Sequence, residues 1–248
     1  MKVKTILVSQ PEPKMENSPY QSLVDRTKVK IDFRSFIHVE GVSAKEVREQ
    51  KVDLNKYTAI ILTSRNSVDH FFRVAEEMRF KIPDTLKYFC QSEAVAYYLQ
   101  KYVVYRKRKI YVGKRTFPEL MPLIKKHKNE SFLLPTTDKL KDLVPEQLDE
   151  LGIKWKMATF FRTVISDLSD LADVKYDVLV FFSPSGIESL FQNFPDFTQD
   201  STRIAVYGNT TSQAAKDKGL RIDIQAPTPE SPSMTMAIEN YIKSLDKA

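Results

Sequence analysis

Cysteine and histidine are scarce in this chain of 248 residues, which contains one cysteine, Cys90, and three histidines, His38, His70 and His127. A single cysteine excludes an internal disulfide and a metal site built from cysteines. The histidines are scattered and do not follow the spacing of zinc ligands. We therefore expect no metal and no other cofactor.

Long apolar runs are also missing. The chain has no stretch of about 18 consecutive apolar residues, which excludes a membrane-spanning helix. The N-terminal segment Met1–Pro13 has a short apolar part, but Gln10 and Glu12 end it. This pattern predicts a first β-strand rather than a signal peptide, so we expect a cytoplasmic protein without membrane contact.

The chain does have a moderate excess of positive charge. Its formal net charge is +6, with 28% charged and 42% hydrophobic residues, as in ordinary globular proteins. This charge favours a polyanionic partner, either nucleic acid or a small molecule with several carboxylates, but a lysine-rich surface explains it equally well. The densest basic run, Tyr105–Lys109, precedes a predicted strand and has no aromatic platform beside it. We therefore do not expect nucleic-acid binding.

The stretch Tyr176–Asn193 has the pattern around which the chain is organised. Five apolar residues, Val178–Phe182, precede the polar turn Ser183–Gly186, and apolar residues at helical spacing follow it. This predicts a buried parallel strand, a tight turn and an amphipathic helix, with Ser185 and Glu188 forming a capping box. Such a turn directs backbone N–H groups and the positive end of a helix dipole outward, where a carboxylate or phosphate binds. Every α/β fold has turns of this kind, so the turn alone does not assign a ligand.

A second copy of this stretch strengthens the case for a ligand. Tyr57–Phe72 repeats the pattern at a shift of 119 positions (183 minus 64), which aligns Ser64 with Ser183. Near the ends of the repeat, Lys4–Val8 resembles Glu130–Leu134 at a shift of about 126 positions (130 minus 4). The similarity between the two parts of the chain therefore extends beyond a single strand–turn–helix segment.

A third match completes the repeat. The stretch VYGNTTSQAA follows YFCQSEAVAY by about 118 positions (208 minus 90), which aligns Gly208 with Cys90 and Thr210 with Ser92. An internal repeat outranks local propensity in the assignment of a fold. We therefore predict two copies of one α/β unit.

The alternation of strands and helices predicts the fold class. It is α/β, with two similar domains that each contain a doubly wound parallel sheet. Lys30–Val39 has alternating apolar residues and is predicted as one continuous strand that leaves the outer domain, and Lys154–Val164 is the strand that returns to it. The outer, discontinuous domain is predicted to comprise residues 1–35 and 165–248, and the inserted domain residues 40–158. The connectors lie near residues 30–39 and 154–164.

This order of segments resembles the uroporphyrinogen-III synthase family over nearly the whole chain. The matching segments are FFSPSGIESLF (Phe181–Phe191), AVYGNTTSQAAKDKGL (Ala205–Leu220), ILTSRNSV (Ile61–Val68) and LDELGIKWKMATFFRTV (Leu148–Val164). The resemblance implies two similar α/β domains joined by two antiparallel connecting strands. It also implies an active site in the cleft between them.

The resemblance further implies a lyase of haem biosynthesis. The family closes the linear tetrapyrrole hydroxymethylbilane into uroporphyrinogen III, with loss of water and inversion of ring D. The substrate loses hydroxide and closes unaided to the type I isomer, so the protein's task is to position it. The sequence shows no Ser/His/Asp-type constellation, and no catalytic acid or base is assigned. Phe161 stands where the family often has a tyrosine, and phenylalanine cannot donate a hydrogen bond.

The substrate carries eight carboxylates, which backbone amides and hydroxyls at helix N-termini can hold. The predicted substrate-binding residues come from the matching turns of both copies and from the return strand. They are Thr63, Ser64, Arg65, Asn66, Ser92, Phe161, Ser183, Pro184, Ser185, Gly186, Gly208, Asn209, Thr210 and Thr211. For each hydroxyl, helix capping is an equally good explanation. Phe161 and Tyr207 either wall the pyrrole rings or belong to the core.

Two other functions stay open at this point. One is a non-enzymatic binding protein with two lobes, against which the absence of an export signal argues. The other is a relative that binds tetrapyrroles without making the type III isomer. The sequence favours a monomer, because nothing in it predicts a large exposed apolar face. Two domains on thin connectors also predict closure on the substrate.

Overall fold

The computed structural model describes residues 2–14, 18–138 and 143–245. The chain divides into two compact units. Unit 1 comprises Met1–His38 and Val164–Ala248, and unit 2 comprises Val39–Thr163. The predicted domain ranges also contain residues 1, 15–17, 139–142 and 246–248, which lie outside the described residues.

Strands and helices alternate along both units. The strands are β1 (Thr5–Val8), β2 (Lys30–Phe33), β3 (Ile37–Gly41), β4 (Ala59–Leu62), β5 (Lys87–Cys90), β6 (Ile110–Val112), β7 (Ser131–Thr137), β8 (Lys154–Ile165), β9 (Val178–Phe181), β10 (Arg203–Tyr207) and β11 (Ile222–Ala226). The helices are α1 (Pro19–Thr27), α2 (Ala44–Glu49), α3 (Arg65–Glu77), α4 (Glu93–Leu99), α5 (Phe117–Lys126), α6 (Leu143–Glu150), α7 (Pro184–Asn193), α8 (Asn209–Asp217) and α9 (Met234–Leu245). Short 3-10 turns occur at Leu54–Lys56 and Ser169–Leu171.

The sheet of unit 1 has the strand order β11-β10-β9-β1-β2, and each neighbouring pair is parallel. Because side chains alternate across a strand, β1 and β9 supply apolar residues to both faces. One face packs against α1 and α9 through Leu23 and Ile238, and the other packs against α7 and α8 through Ile187 and Ala215. Helices on both faces make this the doubly wound sheet that the sequence predicts.

The sheet of unit 2 has the order β3-β8-β7-β4-β5-β6, and the pairs from β8 to β6 are parallel. The buried residues of β4 again contribute to the cores on both faces of the sheet. Ile60 lies in a cluster with Phe71 from α3, whereas Ile61 lies in a cluster with Leu120 from α5. Unit 2 is therefore also doubly wound.

The two units have the same strand order once unit 1 is read as a circular permutation. If the chain of unit 1 is read from β9 through β11 and then from β1 to β2, its strands take the same places in the sheet as β4 to β8 of unit 2. In this correspondence β9, β10, β11, β1 and β2 match β4, β5, β6, β7 and β8 in turn. This relation explains the two different shifts in the sequence repeat, because β9 corresponds to β4 and β1 corresponds to β7. The predicted internal duplication is confirmed.

One polar contact is duplicated along with the strands. In unit 2, the hydroxyl of Thr58 accepts a hydrogen bond from the backbone N–H of Ser131 at 2.9 Å. In unit 1, the carboxylate of Asp177 accepts one from the backbone N–H of Thr5 at 3.0 Å. Thr58 and Asp177 differ by 119 positions (177 minus 58), and each residue precedes the central strand of its sheet. Both hydrogen bonds hold neighbouring strands together at their N-terminal ends.

The segment Lys30–Val39 is not the single strand that its alternation predicts. β2 ends at Phe33, and β3 begins at Ile37. Between them, Phe36 is buried in the core of unit 1, where its ring packs edge-on against Phe181 with 5.6 Å between the centroids. Burial of this ring outweighs the local strand preference, so the prediction of one continuous strand is wrong.

The two connecting strands run antiparallel, as the resemblance implies. β3 is the neighbour of β8 in the sheet. The backbone N–H of Ser166 donates to the carbonyl of Phe36 at 3.0 Å, and that of Val42 donates to the carbonyl of Phe160 at 2.9 Å. From the first bonded pair to the second, the residue number rises from 36 to 42 on the side of β3 and falls from 166 to 160 on the side of β8. Opposite directions of this kind are typical of antiparallel strands.

Candidate functional site

The centre of the unit 1 sheet is a switch point in the path of the chain. From β1 the chain continues to β2 on one side, whereas β9, β10 and β11 follow one another on the other side. In open parallel sheets, ligands bind outside the carboxyl ends of the strands at such a point. Ser9 follows β1 there, and Ser183 follows β9 after one intervening residue.

The turn after β9 is held by Ser183 rather than by Ser185. Ser183 is the N-cap of α7, and its hydroxyl accepts a hydrogen bond from the backbone N–H of Gly186 at 3.3 Å. Pro184 is the first helical residue, where its fixed φ angle suits the helix and its missing N–H costs nothing. The predicted capping box of Ser185 with Glu188 is therefore wrong, because the helix begins before Ser185. The Ser185 hydroxyl is not used as a cap, and the residue is partly exposed.

Gly186 brings the turns after β1 and β9 into contact. A Cβ atom added to Gly186 would lie 3.3 Å from Cδ1 of Phe181 and 3.7 Å from Oγ of Ser9. Ser9 is only 8% exposed, and its backbone N–H donates to the carbonyl of Val180 at 3.0 Å. Ser9 was not among the predicted site residues. The repeat that aligns β1 with β7 contained the signal, because it makes β1 the neighbour of β9.

A second helix N-terminus stands at the same edge. Gly208 is the N-cap of α8 and has a φ angle of 82°, which favours glycine. Asn209 and Thr210 follow it and are exposed. Thr211 is only 1% exposed, so its side chain does not reach the surface in this structure. Of the residues predicted in this turn, Asn209 and Thr210 have exposed side chains, whereas that of Thr211 is buried.

Two aromatic rings adjoin these turns. Phe182 follows β9, and Tyr207 is the last residue of β10. Their rings stack with 5.7 Å between centroids and an angle of 29° between planes. Tyr207 is 37% exposed, so it is not the core residue that one of the two sequence interpretations gives.

Unit 2 builds the equivalent of the first turn after β4. Ser64 is the N-cap of α3, and its hydroxyl accepts a hydrogen bond from the backbone N–H of Ser67 at 3.1 Å. The Ser67 hydroxyl in turn accepts from the backbone N–H groups of Thr63 and Ser64 at 3.1 Å and 3.0 Å. Ser67 is equivalent to Gly186 (186 minus 67 is 119). The Ser67 side chain therefore accepts hydrogen bonds from two backbone amides of its own turn, whereas Gly186 of unit 1 has no side chain that could accept them.

The remaining predicted residues of the unit 2 turn face outward. Arg65 and Asn66 are exposed. The guanidinium carbon of Arg65 lies 5.4 Å from the ring centroid of Tyr98, which is within cation–π distance. The Tyr98 hydroxyl donates to the carboxylate of Asp69 at 2.8 Å. Burial acts to raise the pKa of Asp69, but hydrogen bonds from Tyr102 and Tyr98 outweigh it and lower the pKa.

The second turn of unit 2 has a different register from the predicted one. Ser92 is the N-cap of α4 and Gly208 is the N-cap of α8, which gives a shift of 116 positions (208 minus 92). The predicted alignment of Gly208 with Cys90 is wrong, because Cys90 pairs with Leu62 and Val206 pairs with Phe181, which makes Cys90 equivalent to Val206. Cys90 is the last residue of β5 and is fully buried, and this burial raises the pKa of its thiol to about 12.

Phe161 lies in the core of unit 2. It is 7% exposed, and its ring stacks on that of His70 with 5.1 Å between centroids. Burial, and then the charge of Arg73, lower the pKa of His70, which favours the neutral imidazole. The interpretation of Phe161 as a core residue is the one that the geometry supports.

A cavity of about 530 Å³ lies at the other edge of the unit 1 sheet. It is lined by Tyr176 and Thr202, which precede β9 and β10, and by Phe194 and Phe197 after α7. None of the predicted site residues lines it. This cavity is therefore separate from the turns at the carboxyl ends of the strands.

Neither a metal site nor a membrane span is found in the described ranges. No group of three or more His, Cys, Asp or Glu side chains among residues 2–14, 18–138 and 143–245 is arranged to hold a metal ion. Over the same part of the chain, every helix is too short or too polar to cross a bilayer.

The N-cap serines allow a direct test of capping. We expect Ser183→Ala and Ser64→Ala each to lower the free energy of unfolding by about 1 kcal/mol, because each leaves a first-turn amide without its side-chain acceptor. Ser92→Ala is the matched control, since the Ser92 side chain makes no capping hydrogen bond. Urea denaturation of the three variants measures the difference. An equal loss in Ser92→Ala would contradict the assignment of the caps.

Comparisons with known proteins agree on one family. A family model described as uroporphyrinogen-III synthase HemD matches residues 19–236. A curated relative from Chlorobaculum parvum, named uroporphyrinogen-III synthase, is 26% identical over 257 residues, which cover 97% of this chain and 100% of the relative.

Solved structures give the same picture for the fold. The uroporphyrinogen-III synthetase of Helicobacter pylori 26695 has a TM-score of 0.61 at 19% identity, over 99% of this chain and 100% of that one. A mutant uroporphyrinogen III synthase from the extremely thermophilic bacterium Thermus thermophilus has a TM-score of 0.57 at 15% identity, with the same coverage. At these identities the similarity concerns the fold, which agrees with two α/β units.

Proposed function

Because this chain belongs to the uroporphyrinogen-III synthase family, whose members are lyases of tetrapyrrole biosynthesis, we propose how its residues carry out that reaction. The reaction closes hydroxymethylbilane with loss of water and inverts ring D, which gives uroporphyrinogen III. The observation that carries the proposal is the pair of helix N-termini at one sheet edge of unit 1. Ser183–Gly186 opens α7 there, and Gly208–Thr210 opens α8 beside it.

The substrate's charge suits this edge. Its eight carboxylates need several fixed hydrogen-bond donors, and helix N-termini supply backbone N–H groups together with a positive dipole end. We propose that Ser185, Asn209 and Thr210 hold substrate carboxylates with their side chains and that Thr211 contributes its backbone amide only. The Gly186 amide is already held by Ser183, so Gly186 contributes only the space that its missing side chain leaves. The absence of a side chain at Gly186 leaves room beside the buried Ser9.

The unit 2 turn has a different proposed role. Ser67 already accepts hydrogen bonds from the amides of Thr63 and Ser64. This leaves the exposed Arg65 and Asn66 side chains as the groups that attract or hold a carboxylate. A guanidinium held over the Tyr98 ring is suited to carboxylate binding, because it stays charged and its donors are planar.

Positioning supplies the chemistry in this proposal. The substrate ionises without help, and the difficult step is the direction of attack on ring D rather than bond breaking. Fixed dipoles stabilise the departing hydroxide and the charge that develops on the rings, which contributes on the order of several kcal/mol. Phe161 has no hydroxyl and is buried, so no proton donor is assigned to it.

We also propose that the protein acts as a cytoplasmic monomer on this small molecule, without nucleic acid or membrane partners. The net charge of +6 supports a monomer, because like charge opposes self-association. Light scattering at several protein concentrations tests the monomer, and cell fractionation tests the compartment.

Product isomer analysis tests the proposed function. Hydroxymethylbilane is generated in place by its own synthase and incubated with this protein, and the oxidised type I and type III uroporphyrins are separated by chromatography. We expect an excess of type III, against only type I in a control without protein. If type I forms at the uncatalysed rate in both samples, the enzyme assignment fails. Titration with uroporphyrin then distinguishes a tetrapyrrole-binding protein from an unrelated one.

A further inference from the structure

Tyr207 is the exposed end of an otherwise buried strand. The preceding residues Arg203–Val206 of β10 are all buried, whereas Tyr207 is 37% exposed. Val206 pairs with Phe181 in the sheet, so Tyr207 and Phe182 are the next residues beyond this pair. Their stacked rings therefore stand side by side where the two strands end. Within the described residues, no hydrogen bond of the Tyr207 hydroxyl is found.

The duplicated unit shows that the fold does not require this pair of rings. Thr63 of unit 2 is equivalent to Phe182 (182 minus 63 is 119), and Gln91, just before the N-cap of α4, is equivalent to Tyr207, just before the N-cap of α8. Unit 2 thus completes the same turns with two polar side chains. An aromatic ring left exposed at this place in unit 1 needs an explanation other than folding.

The position of the rings suggests their ligand. They adjoin the N-cap Ser183 of α7 and the N-cap Gly208 of α8, so a flat wall stands next to two groups of anion-binding amides. A tetrapyrrole chain combines flat, electron-rich rings with carboxylate side chains. Such a ligand can place one ring against an aromatic face while its carboxylates reach the helix N-termini.

We propose that Tyr207 is a positioning residue of the substrate site, which rests on the proposed function above. Its exposed ring face takes one pyrrole of the substrate, and its phenol hydroxyl donates a hydrogen bond to a neighbouring carboxylate. A wall on one side of a pyrrole limits the orientations from which the ring closes. Tyr207 therefore affects which isomer forms as well as how tightly the substrate binds.

The test compares Tyr207→Ala and Tyr207→Phe with the wild type. We expect Tyr207→Ala to lower kcat/KM by about 3- to 10-fold, the equivalent of one aromatic contact, and to raise the type I share of the product. We expect Tyr207→Phe to have the isomer ratio of the wild type, because it retains the ring. Its KM should be higher than that of the wild type, because the hydroxyl is lost. Tyr97→Ala, at an exposed tyrosine of unit 2, is the matched control and leaves both readouts unchanged.

The substrate also closes unaided to type I, so the isomer ratio is measured at increasing enzyme concentration, up to the point where it no longer changes. At that limit the ratio separates positioning from a structural role, because a smaller folded fraction lowers the rate but leaves the ratio made by the folded enzyme unchanged. Thermal melting of each variant accompanies the assay. An unchanged isomer ratio and unchanged kcat/KM in Tyr207→Ala, with an active wild type, would overturn the proposal. If the wild type makes only type I, the proposed function fails. In that case, titration of wild type and Tyr207→Ala with uroporphyrin I, a flat carboxylated probe, tests the role of the Tyr207 ring by itself. Binding about 3- to 10-fold weaker in Tyr207→Ala than in the wild type then supports the role of the ring, and equal binding refutes it.

Discussion

Replacing Ser185 with aspartate is expected to lower kcat/KM by about 100- to 1000-fold without loss of stability. Ser185 is the second residue of α7, one residue after Pro184, and it is partly exposed. An added carboxylate there competes with the substrate for the amides of the first turn. At about 4 Å and an effective dielectric constant of about 20, two like charges repel by about 4 kcal/mol. That energy corresponds to a loss of about three orders of magnitude in rate.

The stability of the same variant is expected to move in the opposite direction. A negative charge in the first turn of a helix interacts favourably with the dipole, by about 0.3–1 kcal/mol. Ser185→Asp should therefore unfold at a similar or higher denaturant concentration than the wild type. A loss of activity together with unchanged stability cannot be ascribed to misfolding.

Ser185→Asn is the matched control for charge. Asparagine has nearly the size of aspartate but carries no charge, so we expect a loss of no more than about 10-fold, the value of one hydrogen bond. Steady-state kinetics of both variants, at several salt concentrations, measure the difference. Equal losses for aspartate and asparagine would contradict an anion site at α7 and point to a steric effect instead.

The strand–turn–helix segments could be predicted because their signals are local. The apolar run before Ser183 and the helical spacing after it lie within one stretch, and the repeat placed Ser64 at the same structural position. Both serines are N-caps in the structure. The repeat also identified equivalent strands of the two units, because each match aligned one strand with another.

The parts that the sequence did not reveal depend on contacts between distant residues. Phe36 breaks a regular alternation because its partner Phe181 lies 145 positions away (181 minus 36). Ser9 lies beside the turn after β9 only because β1 neighbours β9 in the sheet. Alternation along β8 also does not say which of its faces is covered, so the burial of Phe161 under His70 could not be decided from the sequence.

The exact start of a helix decides which of its first side chains reach a ligand. Asn209 and Thr210 are exposed and Thr211 is buried because α8 begins directly after Gly208. A start two residues later would expose a different side of the helix, since successive residues turn by about 100°. The first residue depends on the positive φ angle of Gly208, which composition alone does not fix.

Asp177→Ala is expected to lower the free energy of unfolding by about 3 kcal/mol. The Asp177 carboxylate accepts hydrogen bonds from the backbone N–H groups of Lys4 at 2.7 Å and Thr5 at 3.0 Å. These bonds join the N-terminal segment of unit 1 to β9, which lies 172 positions further along the chain (177 minus 5). Hydrogen bonds to a charged acceptor contribute about 1.5–3 kcal/mol each, and alanine removes both.

The effect of this substitution should depend on pH. Burial acts to raise the pKa of Asp177, but the hydrogen bonds from Lys4 and Thr5 outweigh it, so the pKa lies below its ordinary value in the folded state. A lowered folded-state pKa gives stability that is present above the unfolded-state pKa of about 3.9 and is lost as the pH falls through the folded-state value. The difference between wild type and Asp177→Ala should therefore be largest near neutral pH and shrink below about pH 4.

Asp173→Ala is the matched control, because Asp173 is an exposed carboxylate on the segment just before β9. We expect it to change the free energy of unfolding by less than about 0.5 kcal/mol at any pH, as surface substitutions usually do. Urea denaturation at about pH 7 and about pH 3 measures both variants above and below the unfolded-state pKa of about 3.9. If the loss in Asp177→Ala were the same at both pH values, the charge of Asp177 would not stabilise the junction. The loss would then come from packing alone, and the neutral contact of Thr58 in unit 2 would be the better description of both junctions.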